Sequence, residues 1–294
     1  MALSSILPKG SWDSHLHIID TTRFFQTPDS GNSTPVVAGV WENVAFESSI
    51  NCTNVVIVQP TRYGLDNSAA LQALTAYGPK RARAVVQFDP DTITPYQLQT
   101  WHDLGVRGVR LNFANNNNPT SNTPPEKMPQ LLQRYADLIR PYGWAIQMVI
   151  YMEKLAPLTT VIPTLGVKVV IDHFAHSRLP DNASSAGEVD PYSITGFDTL
   201  VQLLEEGNTW VKISAPYRLT TDDDPEHKSL DPLIRELLRI DSTKAVFGTD
   251  WPHTDYEGID IRPWVKHLAD LTSENKTVQQ RVFQDNARTL YDAY

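Results

Sequence analysis

Eight short β-branched runs, with stretches of helical character between them, constrain the fold more than any other feature of this sequence. The runs cover Trp12–His17, Asn54–Gln59, Ala82–Gln87, Gly108–Phe113, Ala145–Ile150, Val167–Asp172, Trp210–Ser214 and Ala245–Thr249. Helices are predicted over Glu42–Ile50, Ser68–Tyr77, Pro95–Leu104, Pro125–Pro141, Glu153–Leu165, Tyr192–Glu206 and Asp231–Ile240. Regular alternation of strand and helix builds parallel βαβ units. Eight such units predict an α/β fold, a closed (β/α)8 TIM barrel, with an open doubly wound sheet as the alternative. No GxGxxG or GxxxxGK[ST] follows the first strand, which counts against a nucleotide-binding sheet. A barrel of this kind needs about 250 residues. The chain has 294, with no internal repeat and no linker, so residues 1–294 read as one domain.

Loop lengths are unequal at the two ends of the strands. Long segments follow the fourth, sixth and seventh strands, at Asn115–Pro124, Ser177–Pro191 and Ala215–Leu230. Segments after helices are short, as at Gly78–Arg81 and Gly143–Trp144. Barrel enzymes build their sites from the loops at the C-terminal strand ends, so this asymmetry suits a substrate pocket there. The polar run Asn115–Asn118, taken alone, reads as a floppy loop.

Composition removes several classes of function. The formal net charge is −9, from 25 Lys and Arg against 34 Asp and Glu. An acidic chain without a basic run is a poor binder of nucleic acid or of an anionic membrane. The single cysteine, Cys52, excludes an internal disulfide and a cysteine-rich zinc module. No stretch of about 18 apolar residues is present to span a membrane. Met1–Gly10 lacks the apolar core of a signal peptide, so a soluble, cytoplasmic protein is expected.

Three strand ends carry chemistry. In Trp12-Asp13-Ser14-His15-Leu16-His17, period-two alternation puts His15 and His17 on one face. A surface pair on an edge strand is the plainer alternative. The apolar strand Ala245–Phe247 leads into Gly248-Thr249-Asp250-Trp251-Pro252-His253, which delivers Asp250 where barrel catalysts sit. Asp250 could instead cap a following helix begun by Pro252. The third run, Val169-Val170-Ile171-Asp172-His173-Phe174-Ala175-His176, again ends in histidine. Each histidine alone is more often structural than catalytic. Three strands of one barrel ending this way point to a site.

Together these patterns resemble the amidohydrolase superfamily, and within it the 2-pyrone-4,6-dicarboxylate lactonase-like branch. The matching text is WDSHLH at 12–17, VQPTRYGLDN at 58–67, GVRGVRLN at 105–112, IDHFAH at 171–176, KISAPYR at 212–218 and VFGTDWPH at 246–253. FQDNARTLY at 283–291 resembles that superfamily's terminal helix, so the likeness runs through nearly the whole chain. It implies a (β/α)8 barrel that opens a lactone, with Asp250 as general base and His15, His17 and His173 as polarising histidines. The fifth strand, Ala145–Ile150, carries neither a metal-binding His nor a bridging Lys, so a two-metal site lacks its ligands. The branch includes members that work without metal, and metal-free catalysis is the expectation. One Zn²⁺ on His15, His17 and Asp250, joined by His173, is the stereochemically allowed alternative.

Arginines give the substrate clue. Arg62 follows the second strand, Arg110 lies in the fourth and Arg218 follows the seventh. Guanidinium groups fork onto carboxylates, so their convergence favours a small anionic substrate. Tyr63, Tyr151 and Tyr217 would add hydroxyls at the rim, with His253 beside them. In the lactonase branch, matching Arg and Tyr positions hold substrate carboxylates, and the well-matched SAPYR stretch carries that role to Arg218. Arg62 and Arg110 could equally form internal salt bridges. Asp66 and Asn67 are expected to cap the second helix. Two further functions stand beside lactone hydrolysis: metal-dependent, non-oxidative decarboxylation of an aromatic or enol acid, and a barrel that binds without catalysis.

Overall fold

The structure is a computed structural model, and it describes residues 6–27, 37–114, 120, 123–177, 179, 189–220, 223–256 and 258–293. Eight parallel strands make one sheet in sequence order: β1 Trp12–Leu16, β2 Asn54–Val58, β3 Ala82–Val86, β4 Val106–Asn112, β5 Ala145–Val149, β6 Val169–Ile171, β7 Thr209–Ile213 and β8 Ala245–Phe247. The sheet curls back on itself. Beyond β8 the Asp250 amide donates to the His15 carbonyl (2.8 Å) and the His17 amide donates to the Trp251 carbonyl (2.7 Å). Gly248 makes this seam possible, because a Cβ there would stand 2.8 Å from the His15 Cβ. The result is a (β/α)8 barrel rather than an open doubly wound sheet.

The outer layer is α1 Val40–Ile50, α2 Ser68–Tyr77, α3 Pro95–Leu104, α4 Met128–Ile139, α5 Phe197–Glu205, α6 Asp231–Asp241 and α7 Arg262–Ser273. Two short helices follow, α8 Lys276–Gln280 and α9 Asn286–Tyr291. Leu290 and Tyr291 of α9 pack into one apolar cluster with Trp12, Val56, Val85, Ala145, Val170, Trp210 and Val246. The C-terminal helix therefore plugs the barrel base and leaves the opposite mouth for chemistry. Among the described residues no helix is long and apolar enough to cross a membrane.

Local sequence explains where the expectations shift. Glu153–Leu165 is not one helix but three short 3₁₀ turns, Met152–Lys154, Ala156–Leu158 and Ile162–Thr164. Pro157 and Pro163 each lack the amide that a continuous helix would need there. The helices predicted from Pro125 and Tyr192 begin later, at Met128 and Phe197, after 3₁₀ turns at Pro125–Lys127 and Pro191–Ser193. Asp66 caps α2 as expected, accepting from the Ser68 amide (3.0 Å). The Asn67 side chain instead ties α2 to the end of β3, donating to the Gln87 carbonyl and accepting from the Gln87 amide. The run Asn115–Asn118 lies outside the described residues, as do parts of the loops after β6 and β7.

Candidate active site

β1 is irregular in a way that serves the site. Three steps along it, from Asp13 to Leu16, oppose only two along β2, from Val55 to Ile57. This bulge lets Trp12 lie in the barrel base while His15 and His17 still reach the mouth on the inner side. Asp13 faces the seam, where its carboxylate accepts from the His15 amide (2.9 Å), the Thr249 amide (2.9 Å) and the Thr249 hydroxyl. The β8 end is thus strapped to β1, and Asp250 follows one residue beyond the strap.

Asp250 is the hub. Its Oδ1 lies 3.4 Å from His17 Nε2, 3.6 Å from His15 Nε2 and 3.8 Å from His173 Nε2. Its Oδ2 accepts from the Tyr217 hydroxyl (2.7 Å) and from Arg218 Nε (3.0 Å). Burial alone would raise the Asp250 carboxyl. The Arg218 guanidinium, 3.0 Å from its Oδ2, opposes that burial and holds the group well below the usual carboxylate range. The three imidazoles are themselves buried, and burial keeps them neutral: His15 falls to about 3, and His17 and His173 are also lowered.

His173 arrives by an unusual route. Residues His173 to His176 all have positive φ, at 50°, 53°, 59° and 46°. Four non-glycine residues in a left-handed turn cost of order 1–3 kcal/mol each, and such strain clusters at functional sites. The turn aims both His173 and His176 into one cavity of about 650 Å³ at the barrel mouth, with Asp250 and His17 also in its wall.

Arg62, Arg110, Tyr151 and Arg218 line the same cavity. Arg110 is buried, donates to the Gln59 carbonyl (2.9 Å) and lies 3.9 Å from Asp172. Arg62 has no acidic partner, and its buried Nη1 has no hydrogen-bond partner among the described residues. Arg218 is already engaged, with Nη2 on the Thr254 carbonyl (2.8 Å) in addition to Asp250. Three expected residues stand elsewhere. Tyr63 is buried and its oxygen accepts from the Asp20 amide (2.9 Å), away from the rim, because the turn at Thr61–Tyr63 folds it under Phe24. Tyr217 sits behind Asp250 and His253 packs between Phe46 and Tyr217. Neither lines the cavity.

Beneath the histidines is a buried network that the motifs did not single out. Lys212 of β7 is fully buried and donates to Gln147 Oε1 (2.8 Å). Its Nζ lies 3.3 Å from both Asp172 Oδ1 and His15 Nδ1. Gln147 Nε2 donates to Asp172 Oδ2 (2.9 Å). Burial lowers the Lys212 ammonium to about 8, against the pull of Asp172. The sequence signal was a lone lysine at an inward position of the apolar strand Thr209–Ile213.

The donor set fits one divalent cation. His17 Nδ1 can only donate to the Val58 carbonyl (2.8 Å), so the neutral ring turns a lone pair from Nε2 toward the Asp250 carboxylate. Two facing acceptors call for a cation or a proton between them. Bonds of about 2.0–2.1 Å in tetrahedral Zn²⁺ sites put donors about 3.4 Å apart, close to the spacing here. His173 Nδ1 is occupied by the Ser214 hydroxyl (2.7 Å), the kind of outer contact that aims a ligating Nε2. Cys52 is buried beside Ser11 and takes no part.

A parallel barrel with carboxylate and histidines at the C-terminal strand ends defines a barrel hydrolase of the amidohydrolase type. The amidohydrolase family model matches residues 12–293, and the chain belongs to that family. It is 29% identical, over 97% of its length and 91% of the relative's, to a 2-pyrone-4,6-dicarboxylate hydrolase of Comamonas testosteroni. A 4-sulfomuconolactone hydrolase of Hydrogenophaga intermedia is 26% identical over 98% of this chain and 91% of that one. The crystal structure of a probable 2-pyrone-4,6-dicarboxylic acid hydrolase from Acinetobacter baumannii shares the fold, with TM-score 0.77 and 23% identity over 96% of this chain and 99% of that one.

Proposed function

We propose that this enzyme hydrolyses a small lactone carrying one or more acid groups, such as a 2-pyrone dicarboxylate. One observation carries the reading: Asp250 lies in the wall of a cavity that also holds Arg62, a guanidinium with no acidic partner among the described residues. The two curated relatives, both named as hydrolases of acidic lactones, support the same substrate class.

Water beside Asp250 Oδ1 gives its proton to the carboxylate as its oxygen bonds to the lactone carbonyl carbon. The carbonyl oxygen takes the negative charge. His173 can stabilise it with Nε2–H when Ser214 donates to its Nδ1, whereas the His17 ring proton is committed to Val58. Collapse breaks the ring C–O bond, and the leaving oxygen takes up a proton to give a hydroxy acid or its keto form. Arg62 and Arg110 orient the substrate acid groups, and Tyr151 adds a hydroxyl at the rim. A divalent cation held by His15, His17, His173 and Asp250 would polarise the carbonyl as a Lewis acid when bound. We take the residues to be sufficient for ring opening without it.

The cation-compatible donor set also favours a second reading, decarboxylation of an aromatic or enol acid. The experiment that separates them follows acid release by pH-stat and CO₂ release on a panel of carboxylated lactones and enol acids. Lactone-dependent acid release without CO₂ supports hydrolysis. CO₂ release with no ring opening supports the second reading.

A further inference from the structure

We propose that Lys212 and Asp172 together set the tautomer of His15, so that one buried pair adapts the Asp250 site to the absence or presence of a bound cation. His15 Nδ1 stands 3.3 Å from Lys212 Nζ and 3.3 Å from Asp172 Oδ1, and Lys212 Nζ and Asp172 Oδ1 are themselves 3.3 Å apart. The three atoms form an equal triangle, closed to solvent on all sides.

The two neighbours ask opposite things of the same nitrogen. An ammonium has only protons to offer and a carboxylate only lone pairs. If Lys212 donates to His15 Nδ1, the ring proton belongs on Nε2, which then points N–H at the Asp250 carboxylate. If Asp172 accepts from His15 Nδ1–H, Nε2 carries the lone pair and can ligate a cation shared with Asp250. Among the described residues His15 Nε2 is buried without a hydrogen-bond partner, and the Asp250 carboxylate stands 3.6 Å from it.

Gln147 keeps both arrangements satisfied. Its oxygen accepts from Lys212 and its nitrogen donates to Asp172, so each member of the pair retains a partner whichever one holds His15. Without a cation, a lone pair on Nε2 would face the Asp250 carboxylate across 3.6 Å, and the lysine-selected form is preferred. With a cation, the aspartate-selected form is preferred. One proton leaves Nε2 and one arrives at Nδ1, so the ring stays neutral throughout. Lys212 and Asp172 are positioning residues, acting on the chemistry only through His15. The proposal does not depend on which substrate the enzyme takes.

Histidine-selective ¹⁵N NMR of the wild-type protein, assigned with His15→Asn and recorded before and after one equivalent of Zn²⁺, tests this directly. The expected result is the His15 ring proton on Nε2 in the metal-free protein and on Nδ1 in the Zn²⁺ form. A proton that stays on the same nitrogen in both samples overturns the proposal. Chelator-competition titrations add a second arm. Asp172→Asn should weaken Zn²⁺ binding about 10- to 100-fold, the usual effect of losing an outer-shell carboxylate, while Lys212→Met should retain or tighten it. Equal weakening in both variants would assign the pair a merely structural role and overturn the proposal. If neither variant folds, the wild-type spectra alone decide.

Discussion

Arg218 Nε donates to Asp250 Oδ2 across 3.0 Å, and the Tyr217 hydroxyl reaches the same oxygen at 2.7 Å. The guanidinium that the sequence assigned to a substrate carboxylate is already committed to the proposed base. Arg218 also lies in the cavity wall, and its hold on Asp250 gives it an effect on the basicity of that carboxylate.

Arg218→Met should therefore lose activity on carboxylated and neutral lactones alike, by roughly tenfold to a hundredfold for one charge-assisted hydrogen bond. The pH dependence should change as well. Asp250 must be ionised to accept a proton, so activity is lost as pH falls through its folded-state pKa. That pKa lies well below the ordinary range, so the wild-type acid limb should sit below the pH at which an ordinary carboxylate titrates. Burial still raises the carboxyl once the guanidinium is gone, so the limb should move to higher pH in the variant. A profile of kcat/KM against pH that keeps its acid limb unmoved would remove this link.

Arg62→Met should discriminate between substrates where Arg218→Met does not. Among the described residues its guanidinium has no acidic partner, and it lies in the cavity wall. On a carboxylated lactone kcat/KM should drop about 10- to 100-fold, and on a neutral analogue of similar shape it should change little. Arg62→Lys should recover only part, because an ammonium lacks the planar fork. Equal losses on both substrates would mean that Arg62 supports the cavity rather than recognising charge.

Removal of metal gives a third expectation. Protein stripped with a chelator and verified by elemental analysis should retain lactone hydrolysis, and added Zn²⁺ should bind at one equivalent. His17→Ala should abolish that binding, since its Nε2 is the donor nearest Asp250 Oδ1. Complete loss of turnover on stripping, restored by Zn²⁺, would replace the metal-free account with an obligatory metal.

Stability should show a pH dependence of its own at the barrel seam. Burial lifts the Asp13 carboxyl to about 6, and burial together with Asp13 lifts Glu47 of α1 well above its ordinary value. Raised carboxyl pKa values favour the protonated form in the folded state. Their stabilisation is present at low pH and is lost as pH rises from about 4 through 6, on the order of 2–3 kcal/mol for Asp13. Glu47→Gln removes the like charge, so its Tm should match wild type near pH 5 and exceed it by a few degrees at pH 9. A difference that stays constant across that range would show that the pair does not share this burden.

The barrel was legible because its strands are short, β-branched and alternate with helical segments, and β1, β2, β3, β5, β7 and β8 begin within a residue of their predicted starts. His15, His17, His173 and Asp250 were legible because they stand at strand ends, where position alone implies the mouth. Lys212 and Gln147 were not, since a polar residue inside a strand has meaning only once the inward faces are known, and Asp172, at the end of β6, reads as one more polar residue until its contacts with Lys212 and His15 are seen. His176 was hidden by the left-handed turn, which no residue type in HFAH requires. Tyr63 was misplaced because proximity in sequence to Arg62 says nothing about which side of a 3₁₀ turn each side chain takes.

The most direct test is acid release by pH-stat from 2-pyrone-4,6-dicarboxylate, with wild type and Asp250→Asn side by side. Asparagine keeps the shape but loses the basic carboxylate, and a positioned general base contributes at least about 10²-fold. The account predicts one equivalent of acid per lactone opened by wild type, and a rate at least about 10²-fold lower in a folded Asp250→Asn variant. Wild-type levels of acid release from Asp250→Asn would contradict it, as would no ring opening by wild type on this lactone or on any other carboxylated lactone.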